Sequence, residues 1–158
     1  MTEGLGELPT VDATRAFGRR LASLLRAGDL VLLTGALGSG KTTLAQGIGA
    51  GLGVAGPVTS PTFVIARVHP APGERPALVH VDAYRLGSVA ELDDLDLEAS
   101  LEESVTVVEW GDGLAEGLSD NWLEVHLDRS REDDRRAATV RGHGSRWAGV
   151  PLASLLPD

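Results

Sequence analysis

The chain has 158 residues, 42% of them apolar, with no cysteine and a formal net charge of −9. That length suits one domain, 1–158, with a real core. The missing thiols exclude disulfides, thiolate zinc sites and thiol catalysis, and the acidic balance argues against an autonomous grip on nucleic acid, which needs a basic footprint. No run approaches the ~18 apolar residues of a membrane span. The segment Met1 to Glu7 lacks the basic and apolar parts of a signal peptide. A cytoplasmic protein is expected, one that serves any nucleic-acid process through protein partners.

Thr10 is placed to cap a first helix from Val11 to Leu25, with Ala13, Phe17, Leu21, Leu24 and Leu25 as its apolar stripe and Gly28 as its stop. Leu30 to Leu33 is a buried-strand run. It leads into Gly35-Ala36-Leu37-Gly38-Ser39-Gly40-Lys41-Thr42, the G-x-x-x-x-G-K-[ST] pattern of a phosphate-binding P-loop. Helix follows from Thr42 to Leu52, with Leu44, Ile48 and Leu52 on one face, so the strand–loop–helix context that confirms the pattern is present. Glycines let the backbone turn its N–H groups toward an anion, and the helix N-terminus adds partial positive charge. Lys41 is placed to neutralise β- and γ-phosphates, and the Thr42 hydroxyl to ligate Mg²⁺. The composition points the same way. Of 14 basic residues, Lys41 is the single lysine, standing where a compact ammonium suits the space between phosphates better than a planar guanidinium.

Beyond Gly51 to Gly56, Pro57 to Phe63 leads into an extended stretch, Val64 to His69. Thr62 trails the P-loop helix, where a switch segment reaches the γ-phosphate in other P-loop proteins; a plain turn is the competing reading. After a turn at His69 to Pro76, Ala77 to Val81 is a strand ending at Asp82. Ser88-Val89-Ala90-Glu91 is a capping-box pattern opening a helix with Leu92, Leu95 and Leu97 inward. Val105 to Val108 is the next strand, ending at Glu109-Trp110. Trp122 to Leu127 and Arg136 to Arg141 form an antiparallel pair around a charged loop. Gly142 to Gly149 is expected to be loose and Val150 to Leu156 to form a short docking turn or to fray, so that about 142–158 is a loosely attached tail. There is no repeat and no domain linker.

Open α/β sheets bind ligands at the carboxyl ends of their strands. Here one such end is the P-loop, and two others carry Asp82 and Glu109. A carboxylate just after an apolar strand is what a P-loop protein uses to hold Mg²⁺ or to polarise water; taken singly, each also reads as a turn acid. His80 and Asp82 share a strand face, with His80 read as a structural hydrogen-bonder. Arg85 pairs with phosphate, with Asp82 or with a partner. The guanine-reading motif of GTPases needs a second lysine, so ATP or a loosely selected base is expected.

Four stretches, Gly35 to Thr43, Ser60-Pro61-Thr62-Phe63, His80-Val81-Asp82-Ala83-Tyr84-Arg85 and Val108-Glu109-Trp110, in this order and spacing, resemble the TsaE (YjeE-type) ATPases of bacterial tRNA threonylcarbamoyladenosine (t6A) biosynthesis. The likeness runs from about Leu8 to Arg141. It implies an α/β P-loop NTPase three-layer fold, its parallel core sheet extended by antiparallel strands. It implies ATP and Mg²⁺ as cofactors, with Gly38, Ser39, Gly40, Lys41, Thr42, Thr43 and Arg85 on the nucleotide and Thr42 and Glu109 on the metal. Lys41, Asp82, Glu109 and the switch residue Thr62 would serve hydrolysis. The segment Thr10 to Asp12, Val11 included, would lie on the adenine side. The family's partners are TsaD and TsaB, so tRNA would be reached only through the complex, and hydrolysis by the isolated chain is expected to be slow. Ala36 departs from the acidic residue many members carry. Two rival readings stay open. One is a small-molecule kinase with Arg129, Arg131, Arg135 and Arg136 in a lid. The other is a nucleotide-gated binding module whose hydrolysis is irrelevant.

Overall fold

The computed structural model describes residues 2–35, 40–54, 66–73, 75–82, 102–109, 120–128 and 136–156; of residues 2, 3, 66, 67 and 82 it describes the backbone alone. The described residues form a seven-stranded sheet and two α-helices. In chain order the elements are β1 (Thr2–Leu8), α1 (Val11–Ala22), β2 (Leu30–Thr34), α2 (Lys41–Leu52), β3 (Ala66–His69), β4 (Ala77–Asp82), β5 (Ser104–Glu109), β6 (Trp122–Asp128) and β7 (Arg136–His143). Two short 3₁₀ turns, Ser145–Trp147 and Leu152–Leu155, follow.

The strand order is β1-β7-β6-β2-β5-β4-β3. The centre, β6-β2-β5-β4, is parallel, and β7, β1 and β3 add antiparallel strands at the two sides. This is the mixed α/β arrangement expected from the sequence. The central β2 is buried along its whole length, as a strand between two neighbours and with both faces covered must be. Val31, Leu33, Val105, Val107, Leu123 and Val125 point into one core cluster with Phe17, Leu21, Leu44 and Ile48 of the helices. Leu30, Leu32, Val79, Val81 and Val108 are buried on the other side of the sheet.

The α1 cap is as expected: Thr10 Oγ1 accepts from Ala13 N–H at 3.0 Å. The helix ends earlier than the apolar stripe suggests, at Ala22 rather than Leu25. The stripe misleads because the chain keeps winding through i→i−3 bonds. Ser23, Leu24 and Leu25 donate to Arg20, Leu21 and Ala22, which tightens the last turn into 3₁₀ geometry and still carries Leu25 into the core.

The two helices meet almost backbone to backbone. A Cβ on Gly47 would stand 2.3 Å from the Arg15 carbonyl oxygen, and one on Gly18 2.6 Å from that of Leu44. Since α2 carries the P-loop at its start, this close crossing fixes the loop's helix against α1. Gly47→Ala is expected to destabilise the chain by about 1–3 kcal/mol through overpacking, despite alanine's better helix propensity. Urea denaturation of the two proteins measures it.

Two further points of the sequence reading need correction. Thr2–Leu8 is a strand, where the sequence reading recognised only a segment without targeting features; it pairs with β7 from Thr2↔Gly142 to Leu8↔Arg136. The segment after Gly142 is also not a loose tail. Strand β7 runs to His143, and Trp147, Leu152, Leu155 and Leu156 are buried in the main core. The Arg146 guanidinium donates to both oxygens of buried Asp29, at 2.9 and 3.0 Å, and to the Leu24 carbonyl at 2.7 Å. It lies 4.1 Å over the Trp147 ring, and Arg20 Nε donates to Leu155 O at 2.8 Å. The segment therefore closes the α1 side of the core.

Among the described residues no helix is long and apolar enough to cross a membrane.

Candidate functional site

The site is built where β2 gives way to α2. Gly40 sits at the N-terminus of α2 with φ of 102°, a left-handed backbone that glycine adopts without penalty. A Cβ there would have room, with its nearest neighbours at 3.7 Å or more, so the requirement for glycine comes from the turn and not from crowding. The N–H groups of Gly40, Lys41, Thr42 and Thr43 have no acceptor inside their own helix.

The two helices end differently at their N-termini. In α1 the Thr10 side chain caps the helix, and Asp12 supplies an acid in the first turn. In α2 the N-cap is Gly40, which has no side chain to cap with, and the first turn carries no acid. A helix start without its own cap or counter-charge is suited to an external anion. Lys41 lies at the same place, only 5% exposed, its ammonium donating to the Gly35 carbonyl at 2.7 Å. A lysine folded back on the loop that precedes it holds positive charge beside the α2 N-terminus.

Parallel pairing delivers the acidic part. β2 and β5 pair from Leu30↔Thr106 to Leu33↔Glu109, so Glu109 comes level with Leu33, one residue short of the end of β2. It is 4% exposed. Both its carboxylate oxygens are 3.5 Å from the Thr42 hydroxyl. That spacing is long for an O–H···O bond and leaves a hydroxyl facing a buried carboxylate. Such a set of hard oxygen donors is what Mg²⁺ prefers, so Thr42 and Glu109 fit the cation expected for this site. His80, fully buried, is hydrogen-bonded through Nε2 to Glu109 Oε2.

Asp82 ends β4 as the register partner of Glu109; its side chain lies outside the described residues, as do Gly38, Ser39, Thr62 and Arg85. Val11 is in the first turn of α1 and 38% exposed. That turn approaches the P-loop, since the Thr14 methyl is 3.9 Å from the Cβ position of Gly40. Thr43 lies in the first turn of α2.

Three features were not anticipated. The partner of His80 is Glu109, two positions further along the neighbouring strand's register, because His80 pairs with Val107. The period-two alternation already put His80 on the face of Asp82, but it gave no cross-strand register. Arg136 Nε, at the start of β7, is 3.7 Å from the Gly40 Cβ position, so one arginine of the charged β6–β7 region reaches the P-loop turn. Thr34 Oγ1 and His126 Nδ1 are 2.8 Å apart, tying β2 just before the loop to β6. A cavity of ≈ 240 Å³ lined by Glu124, His126, Thr139 and Arg141 lies over β6 and β7 and includes none of the P-loop residues.

The arrangement can bind a polyphosphate through backbone N–H groups and Lys41, and hold a divalent cation between Thr42 and Glu109. A bound Mg²⁺ would offset the charge on the phosphate oxygens and so assist displacement at phosphorus. The family model described as "Threonylcarbamoyl adenosine biosynthesis protein TsaE" matches residues 8–138. The chain is 59% identical over 145 residues to the tRNA threonylcarbamoyladenosine biosynthesis protein TsaE of Streptomyces coelicolor, covering 89% of this chain and 98% of that one. It is 35% identical over 137 residues to the Bacillus subtilis protein of the same name, covering 86% of this chain and 84% of that one. The crystal structure of Bacillus subtilis YdiB superposes with a TM-score of 0.72 at 31% identity, over 92% of this chain and 89% of that one. A match over most of the chain, at these identities and with the same fold, shows that the chain belongs to the TsaE family of tRNA threonylcarbamoyladenosine biosynthesis proteins.

Proposed function

We propose that this chain is an Mg²⁺-dependent ATPase that supports t6A formation at tRNA position 37, working with the transferase subunit TsaD and its paralogue TsaB. The observation that carries the reading is the approach of the Thr42 hydroxyl to the buried Glu109 carboxylate, beside an uncapped helix N-terminus and Lys41. These are the parts of a site that binds nucleoside triphosphate with its metal. The family's place in t6A biosynthesis supplies the process. The acidic net charge of −9 favours a subunit that acts through proteins and not by gripping tRNA itself. A partner that supplies an arginine finger would raise the rate by up to about 10³–10⁵.

Release of phosphate from γ-labelled ATP tests the reaction. The full chain, with purified TsaD and TsaB, should release inorganic phosphate in Mg²⁺ and stop in EDTA. Label passing to a sugar or nucleoside acceptor without the partners would replace the ATPase reading with the kinase one. Lys41→Ala probes the nucleotide site separately from the reaction. Loss of a charge-assisted contact of about 1.5–3 kcal/mol should weaken ATP binding about 10–100-fold, as read by titration calorimetry.

A further inference from the structure

We propose that His80 is a positioning residue for the metal-holding carboxylate: its imidazole Nε2–H fixes Glu109 so that the carboxylate faces the Thr42 hydroxyl. The inference rests on the reading of Glu109 as a Mg²⁺-holding group and adds a residue to it.

The donor is assigned by the acceptor. An ionised carboxylate only accepts hydrogen bonds, so the proton between His80 and Glu109 sits on His80 Nε2. The bond engages Oε2 of a carboxylate whose two oxygens are equally far, 3.5 Å, from Thr42 Oγ1. With Oε2 held by His80, rotation of the carboxyl about its last bond is restrained, and the group presents a defined edge to Thr42. Partners of this kind orient metal ligands and are worth about 10–100-fold in metal affinity or activity.

Packing alone does not explain the histidine. His80 is fully buried, on the strand face it shares with core residue Leu78. Its Nδ1 has no hydrogen-bond partner among the described residues. What the imidazole adds is the contact to Glu109. β4 and β5 are parallel, with His80 level with Val107, and the imidazole spans the diagonal to Glu109.

The test compares His80→Gln, His80→Asn and His80→Ala in the full chain. A glutamine places its amide nitrogen about where imidazole Nε2 sits, whereas asparagine reaches only to the Nδ1 position. ATP binding is measured by calorimetry across a Mg²⁺ series and in EDTA. For His80→Ala and His80→Asn the Mg²⁺ concentration giving half-maximal enhancement of ATP binding should rise about 10–100-fold, with ATP affinity in EDTA unchanged. His80→Gln should stay within about threefold of the parent, by the same reasoning on ligand orientation. In a Glu109→Gln background, His80→Asn should add nothing to the Mg²⁺ dependence, because its route of action is already gone. An unchanged Mg²⁺ dependence in all three variants overturns the proposal. So does a glutamine as impaired as alanine, or an additive loss in the Glu109→Gln background. If the parent chain itself binds ATP with no Mg²⁺ dependence, the functional reading fails first, and the role of His80 fails with it.

Discussion

Glu109→Gln is expected to leave the chain folded and able to bind ATP while its Mg²⁺-supported turnover with TsaD and TsaB falls about 10²–10³-fold. The substitution keeps the shape at the end of β5 and an oxygen that accepts from His80 Nε2, so the buried contact between β4 and β5 survives. What it removes is the negative charge facing Thr42 Oγ1. Mg²⁺-free nucleotide binding through the α2 N-terminus and Lys41 does not depend on that charge, whereas positioning a cation against the reacting phosphate does. Paired measurements of ATP affinity and phosphate release separate the two. A nucleotide-gated binding module would instead keep its cellular role with Glu109→Gln, because occupancy alone would suffice.

Arg146→Ala is expected to cost about 2–4 kcal/mol of stability. Removing one partner of a buried ion pair costs more than the pair contributes, because the other charge stays uncompensated. Asp29, whose side chain is 4% exposed, is that other charge; Arg146 at 17% retains some solvent, which lowers the figure from the fully buried case. Asp29 keeps one contact, accepting from Arg26 N–H at 2.8 Å, but loses two charge-assisted bonds. The Leu24 carbonyl and the Trp147 ring lose their cover as well. Arg146→Lys keeps the charge but not the bidentate fork, so it should fall between the two. Chemical denaturation of all three proteins gives the order.

These two residues also mark how far the sequence could be read. Glu109 was legible because β5 carries a compact valine-rich stretch, Val105-Thr106-Val107-Val108, and such a stretch between turns identifies a buried parallel strand whose terminal acid meets the ligand edge. The same holds for β2, β4 and the P-loop, whose residue types are dictated locally by backbone turning and phosphate chemistry. Arg146 was not legible. Its partner Asp29 is 117 positions away, and the buried apolar residues of the same segment, Trp147, Leu152, Leu155 and Leu156, follow no helical or strand period. β1 escaped for a related reason. Thr-Glu-Gly-Leu-Gly-Glu-Leu has two glycines and no β-branched run, so nothing local favours a strand. Its structure comes from pairing with β7, and Gly4 is needed because a Cβ there would stand 2.8 Å from the Ala153 backbone. The His80–Glu109 contact lies between these cases. Both residues were visible as site candidates, but their meeting depends on cross-strand register, which only the folded sheet supplies.

Counting product is the decisive measurement of ATP-driven turnover in t6A formation. Threonylcarbamoyl-adenylate, tRNA, TsaD and TsaB are incubated with and without this chain, and t6A formed and ATP hydrolysed are followed past the first turnover. The account predicts that t6A stalls near one equivalent per complex without the chain, and that it continues with the chain while ATP is consumed. Equal t6A yields with and without the chain, and no added ATP hydrolysis, would contradict it.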